Sequence, residues 1–248
     1  MGLFDKKYCA FCGEKIGMFG NRKLEDGNMC GDCAAKLSPW FNERRHSTVD
    51  EIKAQLEYRE ANQDKVAAFH TTKTIGKRDM FYVDEEKSQF TIATAQEFKN
   101  GNPDIVDFAD VTGCEIDVEE NRDEVTREDN DGNIVSYNPP RYSFEYTISV
   151  IFHVNNPYFD QMRMTINDEA VCLYPNGTIS ANVNPETNAE YKRYMEMAEE
   201  IKQTFSNIKE EAKAASAPKQ AVVCPACGAT TIPDANGCCE YCGSSVNG

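Results

Sequence analysis

The segment Tyr142-Ser-Phe-Glu-Tyr-Thr-Ile-Ser-Val-Ile-Phe-His-Val154 decides the fold of the largest part of this chain. Apolar side chains recur at Phe144, Tyr146, Ile148, Val150 and Phe152, so one face of an extended strand is apolar and the other is mostly polar. Met162, Met164 and Ile166 repeat the alternation, and Asn155-Asn156-Pro157 supplies a turn between the two runs. Upstream, Thr72 to Ile75, Met80 to Val83, Gln89 to Thr94 and Phe108 to Val118 read as further short strands, with a turn at Asp84-Glu85-Glu86-Lys87. The pattern predicts a strongly curved antiparallel β sheet or barrel.

Between two of these strands lies the acidic stretch Asp117 to Asp131, which must be an exposed hairpin extension because so many like charges cannot be buried. Asp129-Asn130-Asp131-Gly132 invites a calcium-loop reading. Aligning Gly132 with the loop glycine puts Arg127 at the first ligand position and Asn138 at the terminal Glu, so the motif fails and a tight turn is expected.

Two helices flank the strands. Ser47-Thr48-Val49-Asp50-Glu51 offers overlapping capping boxes, and Val49, Ile52, Leu56, Val66 and Phe69 form an apolar stripe, predicting a helix of about twenty residues. Its charged remainder, Lys53, Glu57, Arg59, Glu60 and Lys65, reads as a solvated face. Asn184-Pro185-Glu186-Thr187 opens a C-terminal helix, with Thr187 and Glu190 as a capping box. Tyr191, Tyr194, Met195, Ala198, Ile201, Phe205 and Ile208 form the face that docks on the sheet, a coiled-coil dimer being the alternative.

The chain ends carry the chemistry. Cys9-Ala-Phe-Cys12-Gly13 is followed by Cys30-Gly-Asp-Cys33, and Cys224-Pro-Ala-Cys227-Gly228 by Cys239-Glu-Tyr-Cys242-Gly243. Paired CxxC turns bring four sulfurs to one point and suit a tetrahedral ion with bonds of about 2.3 Å. Glycine after the second cysteine permits the left-handed backbone such turns require. Tetrathiolate shells accept zinc or iron, and zinc is favoured; two structural Zn2+ are expected, on Cys9, Cys12, Cys30 and Cys33 and on Cys224, Cys227, Cys239 and Cys242. Four thiolates close the shell, leaving no open position for catalysis. Cys238 is a bystander to Cys239, and Cys114 and Cys172 read as small buried hydrophobes. His46, His70 and His153 lie in no metal or catalytic pattern. Trp40, the sole tryptophan, and Phe41 are expected to pack together against the first finger.

Charge separates these parts. The formal net charge is −15, and residues 69–210 hold 27 acidic against 13 basic side chains. Residues 1–46 hold eight basic and six acidic ones, with Arg22, Lys23, Arg44 and Arg45 as the chief cationic points. An acidic middle domain disfavours nucleic acid and anionic membranes as partners, since affinity for either is largely electrostatic. The N-terminus reaches Cys9 without an apolar stretch, so no secretory signal is expected, and Lys6 sits where a myristoylation motif wants Ser or Thr. Eleven cysteines without an export signal point to metal thiolates and a cytoplasmic location.

The chain is therefore read as α+β: a four-cysteine zinc finger over residues 1–46, a connecting helix over 47–68, an antiparallel β domain with a C-terminal helix over 69–210, a flexible linker over 211–220 and a four-cysteine zinc ribbon over 221–248. Residues 69–210, with a curved sheet followed by one long helix, resemble the pleckstrin-homology-like domains of bacteria, including the GRAM-like group. Cys9 to Cys33, Leu37-Ser38-Pro39-Trp40-Phe41 and the Ile52-Lys53 helix resemble a bacterial family of unknown function with an N-terminal four-cysteine zinc finger. Cys224 to Gly243 is similar to short zinc ribbons appended to many bacterial proteins. The resemblance implies zinc at the eight cysteines and no reaction. It leaves a non-enzymatic adaptor with a protein partner as the expected function, with nucleic-acid binding through a zinc ribbon as the alternative and lipid-headgroup binding as a third possibility. Neither the partner's identity nor the oligomeric state is written in the sequence.

Overall fold

Short hairpins build the N-terminal finger in the computed structural model, which describes residues 6–173, 183–216, 221–233 and 237–246. Strand β1 (Lys7–Tyr8) pairs antiparallel with β2 (Lys15–Ile16), and β3 (Arg22–Lys23) with β4 (Asn28–Met29); α1 (Gly31–Ala34) follows. The core of this module is small: Ile16, Leu24, Met29 and Leu37, closed by Ile52 from α2 (Val49–Ala68). Thr48 caps α2, its hydroxyl accepting from Glu51 N while the Glu51 carboxylate accepts from Thr48 N, so of the overlapping capping boxes the second forms. Thr48→Ala should lower unfolding stability by about 1 kcal/mol, read as a shifted denaturant midpoint with unchanged slope.

Two four-stranded antiparallel sheets follow. The first runs in the order β5 (Lys73–Gly76), β6 (Asp79–Asp84), β7 (Gln89–Thr94), β8 (Val106–Asp107), with α3 (Ala95–Asn100) inserted after β7. In the second, β10 (Ile134–Val154) is flanked by β9 (Val111–Glu128) on one side and by β11 (Gln161–Thr165) and β12 (Val171–Leu173) on the other. No hydrogen-bonded ladder joins the two sheets among the described residues, so they remain open. Beyond the stretch that β11 and β12 cover, β9 and β10 continue as a two-stranded arm whose turn is tied by Asp129, the Oδ1 of which accepts from Asp131 N and Asn133 N.

From Phe144 to Val154 the even-numbered residues of β10 face inward. Phe81, Phe90, Phe108 and Phe152 form the centre of the core, with Phe81 and Phe152 stacked at 5.2 Å between ring centroids. Helix α4 (Ala189–Ser216) brings Tyr191, Tyr194, Ala198, Ile201, Phe205 and Ile208 into the same core, and Phe205 meets Phe108 at 5.8 Å and Phe152 at 5.9 Å. The chain divides into two compact units, Met1–Lys209 and Glu210–Gly248; the second contains the hairpin of β13 (Val222–Val223) and β14 (Thr230–Thr231).

Several expectations change. Pro185–Thr187 is a 3-10 turn, and α4 is capped by Asn188, whose Oδ1 accepts from Glu190 N and Tyr191 N, so the asparagine one residue later takes the capping place expected of Thr187. Helix α4 continues to Ser216, six residues into the segment read as a linker, where Ala212, Ala214 and Ala215 favour helix; residues 217–220 lie outside the described residues. Trp40 and Phe41 do not act as a pair, for Trp40 packs against the sheet core and Phe41 against the finger core. Cys172 is exposed because β12 alternates Val171 in, Cys172 out, Leu173 in. Cys114 does pack against the core, and burial pushes its thiol up to about 12.

The largest correction concerns Arg59. It belongs to no solvated face: Arg59, Gln55 and Asn62 are buried along α2, with Ile52. Arg59 Nη1 donates to Asp104 Oδ1 at 2.5 Å, Nη2 to Asn102 O, and Nε to Lys36 O at 3.3 Å. Ser38 Oγ donates to the other Asp104 oxygen at 2.9 Å. Asn62 Nδ2 donates to Pro103 O at 2.8 Å, and its Oδ1 accepts from Ile105 N at 3.0 Å. A charge can be buried when every donor is matched. This network fastens the finger's tail, α2 and the loop after α3 to one another.

Candidate metal centre

Three of the four CxxC turns have one geometry. In each the first cysteine's N–H donates to the carbonyl five residues on: Cys9 to Glu14, Cys224 to Ala229 and Cys239 to Ser244. The glycine four residues on donates back to that cysteine's carbonyl, and Gly13, Gly228 and Gly243 have φ of 73°, 71° and 70°. A side chain is strained at such φ, which is why glycine follows these cysteine pairs. The fourth turn differs: Cys30 is the N-cap of α1, its Sγ accepting from Cys33 N at 3.4 Å. Cys30 N in turn donates to Cys9 Sγ at 3.4 Å, which ties the two halves of the first site.

These turns gather the eight predicted residues into two groups. The sulfurs of Cys9, Cys12, Cys30 and Cys33 all lie within 4.8 Å of one another, as do those of Cys224, Cys227, Cys239 and Cys242. The separations include 3.8 Å for Cys12–Cys30, 3.6 Å for Cys224–Cys242 and 3.7 Å for Cys227–Cys239. A tetrahedron with metal–sulfur bonds of about 2.3 Å has edges of about 3.8 Å. Both groups therefore fit one tetrahedral ion each, and the donor set is consistent with zinc. Cys238 stands outside the second group and pairs with Ser245 in an isolated bridge. The three histidines join neither group; His153 Nε2 meets Glu115 at 3.1 Å instead.

Four sulfurs this close cannot all be ionised without a cation between them. Burial raises the Cys9 thiol, but N–H donors from Cys12, Cys30 and Phe11 outweigh it and hold Cys9 down to about 6. The hydroxyl and N–H of Ser244 and the Cys227 thiol hold Cys242 down to about 6. Burial, followed by the neighbouring sulfurs, pushes Cys33 up. The Ala229 N–H lowers the Cys227 thiol, but hydrogen bonding to Cys242, burial and the sulfurs of Cys224 and Cys239 together outweigh it and push Cys227 up to about 12. Protons compete with the metal for thiolates, so acidification must weaken binding. A lowered thiol value means stabilisation that is kept at high pH and lost as pH falls through that value. Apparent zinc affinity should fall with pH and reach its steepest slope below about 6, where Cys9 and Cys242 also protonate. Chelator competition across pH measures this, and a flat profile would rule it out.

The geometry identifies where relatives should be similar. Residues 7–55, spanning the first cysteine group and the start of α2, match the family model of a domain of unknown function, DUF4428. The N-terminal segment is thus similar to a domain whose function is not assigned. No curated protein and no solved structure matches the chain. No helix among the described residues is long and apolar enough to cross a membrane.

Sequence reading missed the polar rivet and what lies beside it. Leu37, Pro39 and Trp40 from the finger's tail and Ile92 and Ala93 from β7 line a cavity of about 470 Å³. Arg59 and Asp104 also line it, as do Asp79, Glu97 and Arg163. The Leu-Ser-Pro-Trp-Phe segment was its only local signal.

Proposed function

We propose that this chain is a non-enzymatic, zinc-stabilised adaptor of the bacterial cytoplasm that binds a protein partner. The observation that carries the reading is the cavity between the finger's tail and β7. Its apolar lining, with charges of both signs nearby, suits a short peptide stretch that presents one apolar side chain between polar neighbours. Its walls are preorganised, because the Arg59–Asp104–Ser38 network holds the finger's tail against the loop after α3. Preorganisation lowers the entropy cost of binding. Closed tetrathiolate sites support a structural role for the metal. The two antiparallel sheets with α4 packed on their core support a pleckstrin-homology-like reading of residues 69–210.

Affinity capture from the source cells under native conditions tests this reading, comparing the natural chain with Ala35→Arg. Ala35 is exposed, lines the cavity and follows α1, where a cation is tolerated while its side chain obstructs the opening. A partner held by the natural chain and lost with Ala35→Arg is expected. No partner for the full chain, or one retained equally by the variant, would count against it.

A further inference from the structure

Two surfaces of the first unit present an exposed apolar residue among charges that have no ion-pair partner among the described residues. The first is the tip of the finger. Gly20 N donates to Gly17 O at 3.1 Å, and the turn so closed leaves Met18 83% and Phe19 89% exposed. Cations gather beside it: Arg22 Nη1 donates to Phe19 O at 3.5 Å and Arg44 Nη1 to Lys23 O at 2.7 Å. Burial and then the charges of Arg22 and Arg45 push the Arg44 guanidinium below its ordinary value. None of Arg22, Lys23, Arg44 and Arg45 forms an ion pair among the described residues.

The second surface is the β9–β10 arm. Residues 119–143 hold seven carboxylates and three arginines, and each arginine lies over a tyrosine ring: Arg122 over Tyr142 at 3.9 Å, Arg141 and Arg127 over Tyr137 at 4.2 Å and 5.6 Å. No carboxylate of residues 119–131 is in an ion pair among the described residues. Ile134, 70% exposed, stands opposite Glu128 next to the turn. A two-stranded ribbon wetted on both faces is marginal alone, and its like charges strain it further.

We propose that the Met18–Phe19 finger tip docks on the acidic β9–β10 arm of a second copy of this chain, with Arg22, Lys23, Arg44 and Arg45 facing the arm's carboxylates. Each surface offers what the other lacks, an apolar spot beside unpaired charge of opposite sign. Nucleic acid and anionic bilayers present negative charge to the whole molecule, which carries −15. A second copy can be oriented so that the basic finger meets the acidic arm alone. A two-fold arrangement makes the contact twice, finger to arm and arm to finger. The cavity beside Trp40 takes no part, so the pairing stands or falls independently of the adaptor reading.

Sedimentation of the full-length, zinc-loaded chain over a concentration series tests it. Dimers are expected at low ionic strength and their loss at high salt, since screening acts on exposed charge. Arg22→Glu with Lys23→Glu, or Glu124→Lys with Glu128→Lys, should weaken dimerisation at least about tenfold while circular dichroism and zinc content stay unchanged. All four residues are exposed, so folding is not at issue. Mixing the two variants should restore association as a heterodimer, because both of its contacts then join opposite charges. Phe19→Ser should weaken the dimer without changing its salt dependence. A chain that stays monomeric at low salt, or dimers indifferent to both reversals, would overturn the proposal. So would a monomer whose finger cations instead shift RNA or anionic vesicles.

Discussion

Cys30→Ser is expected to reduce the metal content from about two tetrahedral ions per chain to about one and to unfold the finger. Cys30 does two jobs, for its sulfur belongs to the first group and also caps α1. The apolar core that would remain is five residues deep, and one of those, Ile52, is borrowed from α2. Structural zinc in such modules supplies about 10–16 kcal/mol of apparent binding free energy near neutral pH, more than so small a core can replace. The same substitution should shift the emission of Trp40, because the finger's tail places that residue on the sheet core. Metal analysis and the thiolate-to-cobalt absorption of the cobalt-substituted protein read the loss. A variant that still holds two ions with an unchanged cobalt spectrum would refute the assignment. Cys242→Ser should remove the other ion in the same way.

Arg59→Ala should cost about 3–5 kcal/mol, the penalty for leaving a buried charge without its partner. The Asp104 side chain is 0% and that of Arg59 7% exposed, so neither can turn to water. Burial already pushes the Asp104 carboxyl above its ordinary range, against the pull of Arg59 and Ser38. A raised carboxyl value favours the protonated form in the folded chain, so its contribution to stability declines as pH rises through that value. Without Arg59 the rise grows, and the deficit of Arg59→Ala should shrink on acidification as Asp104 takes up a proton. Arg59→Met combined with Asp104→Leu removes both charges and should cost less than Arg59→Ala alone. Denaturant unfolding of Arg59→Ala, of the double variant and of its two component single variants across pH gives these differences. A double variant as unstable as the sum of the singles would mean that the two residues do not interact.

The parts of this fold that could be read in advance are those whose signal is local. Gln89–Thr94 is a strand with the expected bounds, and α2 begins at the Thr48–Glu51 box, because alternation and capping act over two to four residues. The acidic hairpin extension was legible because like charges have no interior to occupy. The helix Ala95–Asn100 was missed, although Thr94 and Glu97 form a capping box, since it is too short to show a stripe. Arg59 was misplaced for a deeper reason. A guanidinium between Glu57 and Glu60 looks like any charge on a wet helix until Asp104, 45 residues away, is brought to it.

By itself the sequence determined the cysteine quartets and the alternating strands. A CxxC turn with its glycine closes a chelate within five residues, and a strand's two faces are set by its own order. Tertiary structure alone decided which charges are buried, which side of Trp40 is covered and where the cavity lies. Those depend on partners distant in sequence, and the cost of burying a charge cannot be assigned until the group that neutralises it is in place.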